Sequence, residues 1–254
     1  MIENRMKAKL LSGQPAFGVS VMFPSPQIVD MIGRLGFDWV LMDCEHGSAS
    51  LDSLELMSMA AEATGITPIA RPSVNSPEAI LQVMDRGAMG VQVPHVITAD
   101  DAKRAVEAVK YHPLGNRGLA AGSRPAGYGF GMSMPEYVEA ANRETLVCVQ
   151  IEDREALPNV DDILRVEGID VIFVGPSDLS QSMGYPGRSG VPEVREAMEA
   201  VFAKTVAAGL VPGSAGNADA TRGYLEHGVR YLYTHLTTLL QSASREHLGK
   251  VNQS

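Results

Sequence analysis

A chain of 254 residues that is 45% apolar and 20% charged can build a large core, which excludes an intrinsically disordered polymer. Its formal net charge of -9 argues against nucleic acid and anionic membranes as partners, because an acidic surface repels both. Two cysteines make neither a disulfide framework nor a thiolate zinc site, and no apolar run reaches the roughly 18–20 residues that cross a bilayer.

The opening Met-Ile-Glu-Asn-Arg-Met-Lys mixes charges with apolar residues, whereas a signal peptide needs an unbroken apolar region, so the expected location is the cytoplasm. Short apolar runs at 17–22, 39–42, 67–70, 89–93, 146–151, 171–174 and 231–233 are mostly rich in β-branched or aromatic residues, and they predict buried parallel strands. An eighth strand falls at 211–214 or at 117–121. Longer amphipathic stretches at 27–35, 51–63, 77–86, 99–110, 191–208 and 218–227 predict the helices between them, and a helical tail starts at about 238. Gly36, Gly65, Gly87, Gly168, Gly209 and Gly228 each follow a helix and supply its C-cap. Helix, glycine, strand in steady repetition predicts one domain over 1–254, a (β/α)8 TIM barrel. The segment 114–133 breaks the pattern with six glycines, and reads as a lid or interface loop. Its Arg124 and Tyr128 either meet the far end of a substrate or serve a surface.

Polar residues stand where predicted strands end: Asp43 and His46, Arg71, Gln150 and Glu152, and Asp178. In a parallel barrel all those ends open into one cavity. Glu152 and Asp178, on neighbouring strand ends, suit a hard divalent cation such as Mg²⁺ or Mn²⁺, although each could instead cap a helix. His46 is a candidate base with Asp43 to orient its ring; the alternative is a histidine satisfied by backbone. His95, after Val-Pro, is a weaker candidate. Arg71 could stabilise a developing enolate oxygen, or simply pair with Glu45 or Asp43. Gly175, Pro176 and Ser177 open a helix whose amides suit a carboxylate. The six lysines lie in helix-like or terminal stretches, which disfavours Schiff-base chemistry, and no Gly-x-Gly-x-x-Gly or P-loop pattern occurs.

Several motifs together resemble the HpcH/HpaI aldolase family, the class II pyruvate-dependent aldolases. They are Phe-Asp-Trp-Val-Leu-Met-Asp-Cys-Glu-His (37–46), Ile-Ala-Arg-Pro (69–72), Arg-Gly-Ala-Met-Gly-Val-Gln-Val-Pro (86–94), Gly-Asn-Arg-Gly (115–118), Gln-Ile-Glu (150–152) and Gly-Pro-Ser-Asp-Leu-Ser (175–180). The resemblance implies a barrel that binds a divalent metal (Mg²⁺, Mn²⁺ or Co²⁺) and pyruvate. It implies metal carboxylates at Glu152 and Asp178, a catalytic histidine at His46 supported by Asp43, Arg71 on the keto oxygen and Gln150 in the pocket. It implies homohexamers in which the C-terminal helix packs on a neighbour. The chain departs from the family at the last strand, where His235 and Thr237 replace a Gly-Ser-Asp-like turn, and at Gly213-Ser214-Ala215-Gly216, which replaces a more apolar segment.

The reaction expected is reversible cleavage of 4-hydroxy-2-oxo acids to pyruvate and an aldehyde through a pyruvate enolate. Two rivals stand beside it. One is an acyl-CoA ester lyase of the malyl- or citramalyl-CoA type, which needs a basic groove for the CoA phosphates. The other is a barrel that binds a 2-oxo acid without turning it over.

Overall fold

In a computed structural model, which describes residues 3–252, eight parallel strands pair in chain order and close on themselves. They are β1 (Ala16–Val21), β2 (Trp39–Asp43), β3 (Thr67–Arg71), β4 (Gly90–Val93), β5 (Leu146–Ile151), β6 (Val171–Val174), β7 (Val211–Ala215) and β8 (Tyr231–His235). The seven firm strand predictions are all present. The eighth strand is β7; the alternative at 117–121 is irregular, because Arg117 turns inward there and is buried against Asp85 and Tyr111.

Side chains alternate across each strand. One set, including Val19, Val21, Val40, Met42, Val147 and Val149, faces the helices and forms the larger core. The other set, including Ala16, Trp39, Leu41, Ile69, Cys148, Phe173, Tyr231 and Tyr233, fills the barrel. Tracing the strand pairing once around returns to β1 eight residues lower, the stagger expected of this barrel class. That stagger sorts the inward residues into layers of four from alternate strands. Leu41, Gln92, Phe173 and Tyr233 form one layer, in which the Phe173 and Tyr233 rings stack at 5.3 Å. Ser20, Arg71, Gln150 and Ala215 form the next. Asp43, Pro94, Gly175 and His235 lie above it, at the C-terminal mouth.

The helices carry the expected punctuation. Ser25, Ser50, Ser76 and Thr98 each accept a hydrogen bond from the third backbone N–H of α2 (Pro26–Arg34), α3 (Leu51–Thr64), α4 (Pro77–Asp85) and α5 (Ala99–Val109). Gly65 closes α3 at φ 76°, a conformation that other residues enter at a cost. Two helices were not predicted. α1 (Arg5–Leu11) plugs the N-terminal end with Met6 and Leu10, and α6 (Met134–Glu144) starts on a capping box between Ser133 and Glu136.

The long irregular segment does not reach the mouth. Arg124 pairs with Glu62 of α3 and lies against Gly87, just ahead of β4, at the barrel's N-terminal end. Tyr128 is exposed nearby in sequence, at φ 56°. Of the two readings of Arg124, this placement fits the surface one and sets the residue apart from the substrate end of its own barrel. Lys110 also lies there, buried and bonded to the carbonyls of Asn142 and Thr145. Burial, with Lys7 beside it, holds its pKa down to about 8.

α7 (Val160–Ile163) precedes β6, and α8 (Pro176–Ser182), α9 (Pro192–Ala207) and α10 (Ala218–Glu226) follow it. The last helix, α11 (Leu236–Val251), buries Leu236 and then exposes Leu239, Leu240, Leu248 and Val251. Phe17, Phe37, Leu225 and Leu239 line a groove of 570 Å³ beside it. Among the described residues, no helix is long and apolar enough to cross a membrane.

Candidate active site

The strand ends bring Asp43, Arg71, Gln150, Glu152, Gly175 and Asp178 to the same rim of the barrel. Asp43 and Arg71 are register partners on β2 and β3. The Arg71 guanidinium donates Nε–H to Asp43 Oδ1 at 3.0 Å and Nη2–H to Oδ2 at 2.5 Å. Arg71 Nε also lies 3.2 Å from Glu45 Oε2, although that oxygen receives no directed hydrogen bond. The pairing foreseen as an alternative role for Arg71 is thus present with both acids. Burial works against ionised Asp43, but the Arg71 bonds and charge outweigh it, with help from two backbone amides, and hold its pKa below the usual carboxylate range.

Those two amides belong to Glu45 and His46, at 3.0 and 3.3 Å from Asp43 Oδ1. Asp43 therefore fixes His46 through its main chain. The idea that it orients the imidazole is corrected: both its oxygens are taken by Arg71, and the His46 ring instead has Glu45 3.7 Å from Nε2. The ring stands half exposed.

Glu152 follows β5 and is almost completely buried. It accepts from the Gln150 amide and, at 3.0 Å, from the backbone N–H of His95. Gln150 in turn accepts from Gln92 Nε2 at 2.6 Å, and Tyr231 donates to Gln92 at 3.3 Å. This relay locks Glu152 from below. Burial raises the Glu152 pKa against the lowering by those donors, and the charge of Asp178 raises it further. Asp178 sits in the first turn of α8, whose N-cap is Gly175. A side chain at Gly175 would meet Glu152 Oε2 at 2.8 Å and Glu152 Cβ at 3.1 Å, so glycine is required for the carboxylate to lie where it does. Pro176 offers no N–H, leaving Ser177 and Asp178 to supply the free amides of that turn.

Residues that the sequence reading underrated complete the cluster. One ligand atom each from Glu45, His95 and Glu152 lie within 4.8 Å of one another. His95 Nδ1 is 3.0 Å from Asp153 Oδ2, and its Nε2 is 3.4 Å from Glu45 Oε1. Its backbone is held at φ 52°, an uncommon conformation for a non-glycine residue. Burial opposes a charge on His95, but Asp153, Glu152 and Glu45 together raise its pKa. Glu45 was visible only as a partner for Arg71, two residues past a strand end. Gln92 was hidden because one polar residue inside an apolar strand gives no sign of facing inward.

The donor set suits a divalent cation. Glu152 is a carboxylate made more basic chiefly by burial and further by the charge of Asp178, and Glu45 Oε2 is a buried oxygen without a hydrogen bond. Carboxylate oxygens favour Mg²⁺ and Mn²⁺, and an imidazole at the edge of the set is also compatible with Co²⁺. Among the described residues, Lys110 is the one deeply buried lysine, and it lies at the far end of the barrel, away from this cluster.

The HpcH/HpaI aldolase/citrate lyase family model matches residues 18–233. The 4-hydroxy-2-oxo-heptane-1,7-dioate aldolase of Escherichia coli is 37% identical over 98% of this chain and 94% of its own length. The hydroxypyruvate/pyruvate aldolase of Sagittula stellata is 36% identical over 95% of each. Among solved structures, an HpcH/HpaI aldolase/citrate lyase family protein from Burkholderia cenocepacia superposes with a TM-score of 0.92 at 29% identity, covering 98% of this chain and 99% of that one. The match spans both the barrel and every strand end that carries an acid, an amide or Arg71, and on that ground the chain belongs to the HpcH/HpaI aldolase/citrate lyase family.

Proposed function

We propose that the protein is a divalent-metal-dependent aldolase that reversibly cleaves 4-hydroxy-2-oxo acids to pyruvate and an aldehyde. The observation that carries this reading is the buried Glu152 carboxylate, locked by Gln150 and the His95 amide on the same rim as the Arg71 guanidinium. Glu152 and Asp178 would hold Mg²⁺, Mn²⁺ or Co²⁺, with Glu45 and His95 beside them. A cation there supplies Lewis-acid stabilisation of negative charge on the 2-oxo acid.

The protein's own groups do the rest. His46 takes the proton from the 4-hydroxyl as the C3–C4 bond breaks, and the bonding pair moves through C3 to the keto oxygen, leaving the enolate of pyruvate. Arg71 donates to that oxygen with a guanidinium already fixed by Asp43, so no reorganisation accompanies the charge. Gln150 positions Glu152, and the amides at Ser177 and Asp178 face the substrate carboxylate. Protonation at C3 releases pyruvate.

Stripping the purified protein with a chelator and restoring Mg²⁺, Mn²⁺ or Co²⁺ tests this directly. Activity is expected to vanish and return; full activity after stripping, or trapping with borohydride and pyruvate, ends the reading. A turnover screen of pyruvate plus aldehydes against malyl- and citramalyl-CoA separates it from the acyl-CoA ester lyase. We place the enzyme in the cytoplasm as a homohexamer, with the exposed leucines of α11 packed on a neighbouring subunit; the open groove beside that helix supports an association of this kind.

A further inference from the structure

We infer that His235 carries the proton at C3 of the donor, taking it when pyruvate becomes the enolate and returning it when the enolate becomes pyruvate. This inference rests on the aldolase reading above, which leaves the C3 proton without a carrier.

His235 ends β8 and belongs to the mouth layer with Asp43, Pro94 and Gly175. Tyr231 and Tyr233 fill the barrel, so the alternation along β8 turns the imidazole inward as well. The ring meets Tyr233 edge to face at 5.6 Å, and Tyr233 is itself stacked on Phe173, which fixes the imidazole from below. The usual structural employments of a histidine are missing. His235 is the N-cap residue of α11, yet its side chain makes no capping hydrogen bond. Among the described residues, neither ring nitrogen has a hydrogen-bond partner or an ion pair. The residue is half-buried, so protons can pass between the ring and solvent.

Its surroundings favour the neutral ring. The charged groups that act on it are Arg71 and Asp43, from β3 and β2, and Tyr233 is the titratable group packed against it. Burial lowers its pKa from the usual histidine value, and the Arg71 charge adds to this against the opposing effect of Asp43. The positive end of α11 works in the same direction. A neutral imidazole offers an unshared pair, which is the form a base requires.

The shape of the donor directs C3 to this side. The carboxylate and keto oxygens of a 2-oxo acid lie along one edge, and Arg71 on β3, Glu152 after β5 and the amides of α8 take that edge. C3 then leads away from them, toward β7, β8 and β1. Few bases stand there. Both Asp43 oxygens are held by Arg71, Ala215 has no polar side chain, and the Ser20 hydroxyl is far too weak a base. His46 serves the 4-hydroxyl, which leaves His235. In the synthetic direction a C3–H bond breaks, its proton joins the free ring nitrogen, and the electron pair moves through C2 to the keto oxygen beside Arg71. In cleavage the ring, protonated from solvent, gives that proton to C3 and ends neutral.

The test uses the metal-loaded enzyme. Pyruvate in deuterated solvent without any aldehyde reports the breaking of C3–H by NMR. His235→Gln keeps a polar side chain but has no basic nitrogen, and its exchange rate is expected to fall by roughly 10²–10⁴, the range for a lost general base. Cleavage of a 4-hydroxy-2-oxo acid breaks C3–C4 before His235 acts. On rapid mixing this variant is therefore expected to release aldehyde in a burst stoichiometric with sites, with pyruvate following slowly. In His235→Ala, added imidazole is expected to restore part of the exchange. Exchange at the wild-type rate in His235→Gln overturns this inference alone. So does an equal loss of exchange and of the aldehyde burst without rescue by imidazole, which marks a structural role. Wild-type enzyme that neither exchanges nor cleaves overturns it together with the aldolase reading.

Discussion

Asp43 and Arg71 end adjacent strands and meet edge to edge, two parallel hydrogen bonds joining a carboxylate and a guanidinium that are both buried. A planar pair of this kind fixes direction as well as charge. Because the same carboxylate also accepts from two backbone amides, one residue sets both Arg71 and the loop that carries His46.

Removing one half of that pair leaves a buried charge uncompensated. Asp43→Asn is expected to lower stability by about 3–5 kcal/mol, the usual cost of breaking a buried pair from one side. Chemical denaturation of the two proteins at pH 7 measures it. A loss below about 1 kcal/mol would show that Arg71 finds other partners.

The same pair fixes a pH dependence. The folded Asp43 pKa is below its unfolded value, so its stabilisation is complete above the ordinary carboxylate range, near pH 4, and is lost as pH falls through the lower folded value. Glu152 has the opposite sign: its raised folded pKa means the metal-free protein gains stability as pH falls from neutrality through that value. Glu152→Gln is therefore expected to raise the thermal midpoint of the metal-free protein at pH 7. It is also expected to abolish the stabilisation by added metal, which for wild type is about 2.7 kcal/mol at a hundredfold excess over Kd. Calorimetry with and without chelator reads both effects.

Two half-exposed histidines, His46 and His95, flank Glu45, and the roles proposed for them separate kinetically. His46→Ala is expected to reduce kcat for aldol cleavage by roughly 10²–10⁴ with metal affinity kept, as for loss of a general base. His95→Asn is expected to weaken metal binding more than it lowers kcat at saturating metal, because His95 touches Glu45, Glu152 and Asp153. Titrating each variant with Mn²⁺ while following turnover distinguishes them, and an exchange of the two phenotypes would reverse the assignment.

Gly175→Ala places a methyl group within 2.8 Å of Glu152 Oε2. Overpacking costs about 1–3 kcal/mol, and a displaced ligand carboxylate typically costs 10–100-fold in metal affinity. Isothermal titration with Mn²⁺ checks the second figure; unchanged affinity would mean that Glu152 moves without consequence.

The exposed face of α11 predicts an assembly defect. Leu240→Asp, at a position 55% exposed in the isolated subunit, is expected to reduce the mass measured by light scattering from that of the proposed hexamer toward smaller species. An unchanged mass would place the subunit contacts elsewhere.

The strands were legible because they are short apolar runs, mostly rich in β-branched or aromatic residues and several with glycine or proline at an edge, and the rim residues because they are polar groups at the ends of such runs. What escaped depended on how distant segments meet. Met6 and Leu10 in α1 matter only because the closed barrel has an end to plug. Gln92 and Ser20 look like any polar residue in a strand until the stagger turns them inward. The nearness of Glu45 to His95 is a product of two loops folding over one rim, and the choice between the two readings of Arg124 stayed open because nothing local tells which end of a barrel a glycine-rich loop will cover.

The strict alternation along β1 carries a constraint on how this enzyme can change. Deleting any single residue between Ala16 and Ser20 would reverse the parity of the strand, sending an isopropyl group into the catalytic chamber and the serine among the helices. New substrate preferences on this scaffold must therefore arise by swapping side chains at fixed addresses, while gains and losses of length are confined to the connections between strands.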